Sequence, residues 1–457
     1  MKLAFEKLEP TLREWMMILK KLVTILGVTL ACAFAGSFTT VSADASSYLG
    51  ITSTKNTSYN ARFVNQSRRN DGIYYYAPYY TQRSAKTRDA SGKNWQHRFV
   101  KVSQVATLSN GAQFAKFSWY GKTIGWVDVK ALETFSRSQN AKVLLNNAHF
   151  QGRAMLFNNY TSGASYVNVG YADAATKTRN SANTIYPIAS LQKVMTGAII
   201  EQLAGQGKLS LNNKLSRYYP GVKNSSKITL RQLLNQRSGI DMSESTPNTL
   251  LSTQSAEINY TLNQLKVGNS GSFNYTNANY TLLAGIASKV TGQTYDQLVQ
   301  KRIIAPLKLK HTFVWDNLPK SGSIANGYSY VNGKSNNPNN ASQKLVSSLL
   351  GAGNYYSTPS DYYAIQRGLR NGKILTTNQY YDLANDYKLS YGGGLYHYSG
   401  SIKRVRGTLS GAGYETVLYG SEGNKSGVIL FANQAPTKAM DSLAKTLYDL
   451  ARYYNEN

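Results

Sequence analysis

Two kinds of apolar pattern divide the chain. Between residues 48 and 133 the apolar positions fall in short alternating runs. Phe99-Val100-Lys101-Val102-Ser103-Gln104-Val105 has the period of two expected of a half-buried strand. Ser109-Asn110-Gly111 supplies a turn, and residues 113–120 return as a partner strand. Asn70-Asp71-Gly72 is a further turn, leading into the aromatic run Ile73-Tyr74-Tyr75-Tyr76. Gly121-Lys122 leads into Ile124-Gly125-Trp126-Val127-Asp128. Together these predict a small all-β barrel. Residues 134–147 carry little hydrophobic pattern and read as a linker.

The pattern beyond the linker is mixed. Gly152-Arg153-Ala154-Met155-Leu156-Phe157 and Ser165-Tyr166-Val167-Asn168-Val169-Gly170-Tyr171 predict two neighbouring strands. Leu191, Val194, Met195, Ala198, Ile199 and Leu203 recur at intervals of three and four and predict a buried helix, with Pro187 upstream and Ser190 at the capping position. Shorter helices are expected over residues 228–235, 281–290 and 295–304. Strands are expected over 391–396, 416–419 and 426–432, and a closing helix over 437–453. Early strands, a helical middle, late strands and a final helix make an α+β domain.

The N-terminus bears on cellular address. Lys20-Lys21 precede a 17-residue apolar run over residues 22–38, and Val41-Ser42-Ala43 offers small residues for cleavage. This layout predicts a secretory signal peptide over residues 1–43, with Asp44 as the mature N-terminus. The run is short for a membrane span. Glu6, Glu9 and Glu14 are unusual ahead of such a run, so translation from Met16 or Met17 is the alternative start. The single cysteine, Cys32, lies inside the run, so the mature chain would have none. That suits a bacterial surface. Lys and Arg outnumber Asp and Glu by 51 to 23, a formal charge of +28 that calls for a polyanionic partner. Export excludes nucleic acid and leaves the anionic wall of a Gram-positive type of bacterium.

The candidate chemistry starts at Ser190 and Lys193, which share a helix face one turn apart. A serine nucleophile needs a base, and a lysine supplies one if burial lowers its pKa. The tetrapeptide alone is weak. Ser442-Leu443-Ala444-Lys445 repeats it in an amphipathic helix, and a cap followed by a solvated lysine has the same spacing. No Gly-x-Ser-x-Gly elbow and no glycine-rich phosphate loop are present. His97, His149, His311 and His397 lack metal-ligand spacing, so neither metal nor cofactor is expected.

Two resemblances sharpen the picture. Asn70-Asp71-Gly72-Ile73-Tyr74, Pro78-Tyr79-Tyr80-Thr81 and Gly125-Trp126 resemble the SH3-like GW module of cell-wall proteins, taken to span residues 44–136. That resemblance implies binding to lipoteichoic acid through a basic, tyrosine-rich surface, with Trp119 and Trp126 as core aromatics. From residue 152 onward, an ordered set of segments resembles the serine β-lactamase-related family, which includes class C β-lactamases, D,D-carboxypeptidases and esterases. The set is Ser190-Leu191-Gln192-Lys193, Gly207-Lys208-Leu209-Ser210-Leu211, Ile228-Thr229-Leu230-Arg231-Gln232-Leu233-Leu234, Ser238-Gly239, Tyr275-Thr276-Asn277, Ala284-Gly285-Ile286 and Thr291-Gly292-Gln293. The implied fold, over residues 137–457, is an antiparallel sheet with a helical subdomain. The implied roles are Ser190 as nucleophile, Lys193 as base and Tyr275 as a second acid/base with a stabilised phenolate. Asn277 would bond near the substrate and Lys193.

The family's third motif, a basic residue followed by Thr or Ser and then Gly, has only Arg406-Gly407-Thr408-Leu409-Ser410-Gly411-Ala412-Gly413-Tyr414 as its counterpart. Two registers remain, putting Gly407 or Leu409 at the basic position. A backbone N–H of Ser410 or Ala412, flanking Gly411, would complete the oxyanion hole. In relatives the basic residue holds a substrate carboxylate, a charge-assisted bond that contributes about 1.5–3 kcal/mol. Its loss favours D-alanyl esters of teichoic acid, which carry an amine and no carboxylate, unless Arg404 or Arg406 reaches in. The alternatives are a D-Ala-D-Ala carboxypeptidase of peptidoglycan and a non-catalytic wall-binding protein.

Overall fold

The computed structural model describes residues 48–457 apart from 65–70, 97, 120, 135, 160–162, 321–323, 332–333, 336, 385–388, 410 and 454–457. The expected signal peptide lies outside the described residues. No helix among those described is long and apolar enough to cross a membrane.

The N-terminal strands are β1 (Ile51–Phe63), β2 (Gly72–Tyr74), β3 (Ala90–Ser91), β4 (Phe99–Leu108), β5 (Gln113–Trp119), β6 (Lys122–Asp128) and β7 (Leu132–Glu133). They form one antiparallel sheet in the order β3-β2-β6-β5-β4-β1-β7. Sequence pattern underestimates β1, because most of its thirteen residues are polar and its first six are exposed. Phe63, Val102, Phe117 and Val127 fill the interior. Trp126 packs in a second small core with Tyr74 and Phe114, as expected of a core aromatic. Tyr75, Tyr76 and Tyr79 stay on the surface, Tyr76 with 65% of its area exposed.

Residues 134–147 are not a linker. Helix α1 (Arg137–Asn147) begins in a reciprocal cap between Ser136 and Gln139. Its apolar contacts are few, Ala141 and Leu145. Its buried Arg137 makes up the difference by donating to Ser165 Oγ at 2.7 Å and to the Gly163 carbonyl at 3.1 Å. A buried arginine in a polar segment gives no apolar period, so the helix is invisible to pattern.

The larger domain is built on β8 (Gln151–Asn158), β9 (Gly163–Val169), β10 (Tyr391–Gly392), β11 (Leu395–Tyr398), β12 (Ile402–Thr408), β13 (Glu415–Ser421) and β14 (Ser426–Gln434). The antiparallel order is β10-β11-β12-β13-β14-β8-β9, so the first strands close against the last. Alternate residues serve two cores. Leu156, Val417, Val428 and Leu430 meet α1 and the closing helix α4 (Met440–Tyr453), against which Phe99 of the barrel also packs. Met155, Val405, Leu418, Ile429 and Phe431 meet helix α2 (Lys193–Gly205) and the helical subdomain. Residues 193–201 of α2 are all buried, since the sheet covers one side and α3 (Asn277–Thr291) another.

Candidate active site

Ser190 does not cap α2. It sits in a 3-10 turn, Ala189–Gln192, and the cap residue is Gln192. Ala189, just before it, holds φ at +47°, a left-handed conformation that a non-glycine residue keeps only where packing imposes it. Lys193, one turn on, is fully buried. Its Nζ donates to Ser190 Oγ at 2.8 Å, Asn277 Oδ1 at 2.7 Å and the Ala352 carbonyl at 3.0 Å. Burial lowers its pKa to about 7, against a smaller opposing effect of the Glu244 carboxylate. Near neutral pH the amine is therefore partly uncharged beside a serine hydroxyl.

Two polar clamps set this geometry. Gln192 accepts from the Tyr355 N–H at 3.1 Å and donates to Asn354 Oδ1 at 2.8 Å. Thr196 donates to the Gly351 carbonyl at 2.6 Å. Together they aim the Ala352 carbonyl at Lys193. On the other side, Gln236 Nε2 donates to the Thr276 carbonyl at 3.0 Å, and Gln236 Oε1 accepts from the Thr276 N–H at 3.2 Å. Ser238 donates to Asn279, which is fully buried. Asn277 thus opens α3 and faces Lys193.

Tyr275 stands beside Lys193 and is 38% exposed. Its hydroxyl interacts with Ser190. Lys193 Nζ stands 4.9 Å from the ring centroid. The expected phenolate is not what this setting favours. Desolvation of the hydroxyl pushes its pKa up to about 12, more than the bond to Ser190 and the charge of Arg404 draw it back. Tyr275 therefore keeps its proton at neutral pH. Phe273, Tyr391 and Tyr396 extend an aromatic wall beside it, with Tyr391 at 6.0 Å from Tyr275 and 5.6 Å from Phe273. The wall comes close because the turn after β10 is glycine. At Gly394 (φ +95°) a Cβ would stand 2.6 Å from the Val194 backbone nitrogen.

Strand β12 runs alongside Ser190 without a basic group facing it. Lys403, Val405 and Gly407 point to the side of α2, but Lys403 is sealed far down the strand near Glu422 and Arg370. A Cβ at Gly407 would stand 2.6 Å from the Ile188 carbonyl and 3.0 Å from Ala189 Cβ, so no side chain fits there. Leu409 is buried with Ala189 and Leu349. Arg404 and Arg406 do not reach in. Arg404 makes two bonds to Asp441 of α4, at 2.6 and 2.7 Å, and Arg406 pairs with Glu415 at 2.7 Å. The expectation for Ala412 also fails, because its N–H is used within the hairpin, donating to the Leu409 carbonyl at 3.2 Å. Gly411 forms the tip of that turn at φ +74°. Ser410 lies outside the described residues.

Sequence reasoning missed Gln192, Gln236 and Glu244. The last accepts from Asn277 Nδ2 at 2.7 Å. Glutamine and a loop glutamate have no period, and only the scarcity of acidic residues in this basic chain set Glu244 apart. His397 is structural, buried against Glu422 at 2.5 Å. The Ser442/Lys445 copy is exposed on α4. No metal-ligating cluster is found among the described residues.

The Beta-lactamase family model matches residues 138–453. This chain belongs to the β-lactamase family. Its catalytic-type domain is thus that of a serine hydrolase, and a GW (Gly-Tryp) dipeptide domain matches residues 53–133 ahead of it. PbpX of Bacillus subtilis, named as a penicillin-binding protein, is 28% identical over 327 residues, 70% of this chain and 80% of its own. Teichoic acid D-alanine hydrolase of Staphylococcus aureus is 29% identical over 239 residues, 52% of this chain. That match spans 57% of the hydrolase, little more than half its length. The crystal structure of FmtA from Staphylococcus aureus superposes with a TM-score of 0.60 at 24% identity, covering 70% of this chain and 91% of that one. D-amino acid amidase from Ochrobactrum anthropi follows at 0.59 and 20%, covering 69% and 97%. At these identities the two structures speak for the shared β-lactamase-family fold alone.

Proposed function

We propose that this chain is a wall-associated serine hydrolase that removes D-alanyl groups from their esters on teichoic acid through an acyl-enzyme. The observation that carries the reading is the buried Lys193 amine 2.8 Å from Ser190 Oγ, on a site whose flanking strand has glycine at 407 and leucine at 409, with Arg404 engaged by Asp441. The GW domain and the hydrolase relative support a wall polymer as the partner and an exported, wall-associated location.

In the first step Ser190 Oγ bonds to the acyl carbon, and its proton passes to neutral Lys193 while the carbonyl electron pair moves onto oxygen. The adduct collapses with cleavage of the bond to the polymer oxygen. Tyr275 gives that oxygen a proton and is recharged by Lys193. Water then attacks the acyl-enzyme, loses its proton to the same pair and releases D-alanine, returning Ser190 to its hydroxyl form. Asn277 holds the Lys193 nitrogen in line throughout.

A D,D-carboxypeptidase is the second reading, favoured by the longer match to PbpX. Purified protein given a D-alanylated teichoic acid and a D-Ala-D-Ala peptide should cleave the former, and Ser190→Ala should abolish this without unfolding the chain. Ser442→Ala should leave the rate unchanged. Full activity in Ser190→Ala, or cleavage of the peptide alone, refutes the reading.

A further inference from the structure

We propose that the Glu244 carboxylate, with the aromatic wall beside it, is a subsite for the α-ammonium group of the acyl residue. The proposal rests on the hydrolase reading above and names how that site selects its acyl group. A D-alanyl ester presents its ammonium one carbon from the carbonyl that Ser190 attacks. A complementary site needs an anion near the nucleophile, as a carboxylate-binding site needs a cation.

Glu244 meets this need by position. Lys193 Nζ donates to Asn277 Oδ1 at 2.7 Å, and Asn277 Nδ2 donates to Glu244 Oε2 at 2.7 Å. The amide therefore has one orientation, oxygen toward the amine and nitrogen toward the carboxylate. The negative charge of Glu244 is felt at both Lys193 and Tyr275, whose pKa values it raises, so it acts across the space where the acyl carbon must sit. Glu244 is exposed, within reach of an arriving ligand. Its loop is nevertheless stitched down on both sides. Thr276 Oγ1 donates to the Met242 carbonyl at 3.4 Å, Asn274 Nδ2 to Asp241 Oδ1 at 3.2 Å, and Tyr260 to the Ser245 carbonyl at 3.1 Å.

The aromatic wall is the second observation. Phe273 and Tyr275 are both more than a third exposed beside buried Tyr391. Ring faces attract an ammonium group, and a carboxylate beside such rings is a pairing suited to it. Arg404, 5.3 Å over the Tyr396 ring, is already held by Asp441.

The test compares a D-alanine ester bearing a free amine with its N-acetyl counterpart, which differs only in lacking the charge. The parent protein should favour the free amine in kcat/KM. In Glu244→Gln, whose amide oxygen still accepts from Asn277, the ratio of the two kcat/KM values should fall by roughly ten-fold, carried mainly by KM of the free-amine ester. Any effect of the substitution on Lys193 acts on both esters and cancels in the ratio. An unchanged ratio with both esters still cleaved overturns the subsite and leaves the hydrolase intact. Failure of the parent protein to cleave either ester refutes the hydrolase reading itself, and the subsite with it.

Discussion

Replacing Lys193 by Met tests whether the base is held neutral by the fold. Unfolded, the lysine keeps its proton up to its ordinary pKa of 10.5; folded, it sheds it near 7. Between these values the unfolded chain binds more protons, so this one group makes stability rise with pH across the window from about 7 to 10.5. The displacement corresponds to roughly 5 kcal/mol against the charged form, near 1.4 kcal/mol per pH unit. From pH 7.5 to 9 the parent protein should therefore gain about 2 kcal/mol that Lys193→Met does not. The variant also leaves the Ser190, Asn277 and Ala352 oxygens without their donor. That costs about 1–3 kcal/mol for a buried acceptor, but it does not depend on pH. Urea unfolding of both proteins at the two pH values separates the slope from the offset. Catalysis gives a second readout: kcat/KM of the parent should rise as pH increases through about 7, and the variant should lose roughly 100- to 10,000-fold. A stability gap that stays constant from pH 7.5 to 9 refutes the neutral lysine, whatever the activity of the variant.

Other outcomes follow from the same geometry. A labelled penicillin should acylate Ser190 slowly, and Gly407→Lys should not rescue it, because a Cβ there displaces the Ile188 carbonyl and the turn carrying the nucleophile. Ester cleavage should fall instead, and rapid stoichiometric labelling of the parent protein refutes the vacancy. In the barrel, replacing exposed Tyr75 and Tyr76 by Ser should weaken retention on teichoic acid in a pull-down while leaving cleavage of a small ester intact, and added salt should weaken retention by the parent. Equal retention by the variant places the wall contact elsewhere.

Ser190 and Lys193 were legible as candidates because the helix that Lys193 opens is rich in buried apolar residues, and such a run survives in the sequence whatever packs around it. The alternating strands β4 to β6 and the closing helix were legible for the same reason: one buried face leaves one period. Where polar residues are buried by specific partners, the period disappears. Arg137 against Ser165 and Gly163 makes a helix of an apparent linker, and Asn279 under Ser238 belongs to a helix that starts ahead of the expected residue 281.

Sequence alone determined the order of the two domains, the candidate pair of Ser190 and Lys193, and the absence of Lys or His at either register of the third motif. Tertiary structure decided the charge states and the distances, because both depend on what surrounds a group rather than on its neighbours along the chain. Burial leaves Lys193 partly uncharged near neutral pH and keeps Tyr275 protonated. Close approach of β12 to Ile188 leaves room only for glycine at 407, and the Asp441 carboxylate on a helix 35 residues beyond Arg406 holds both arginines away from Ser190. Glu244 joins the site through a single bond across 33 residues, a contact that only folding brings about.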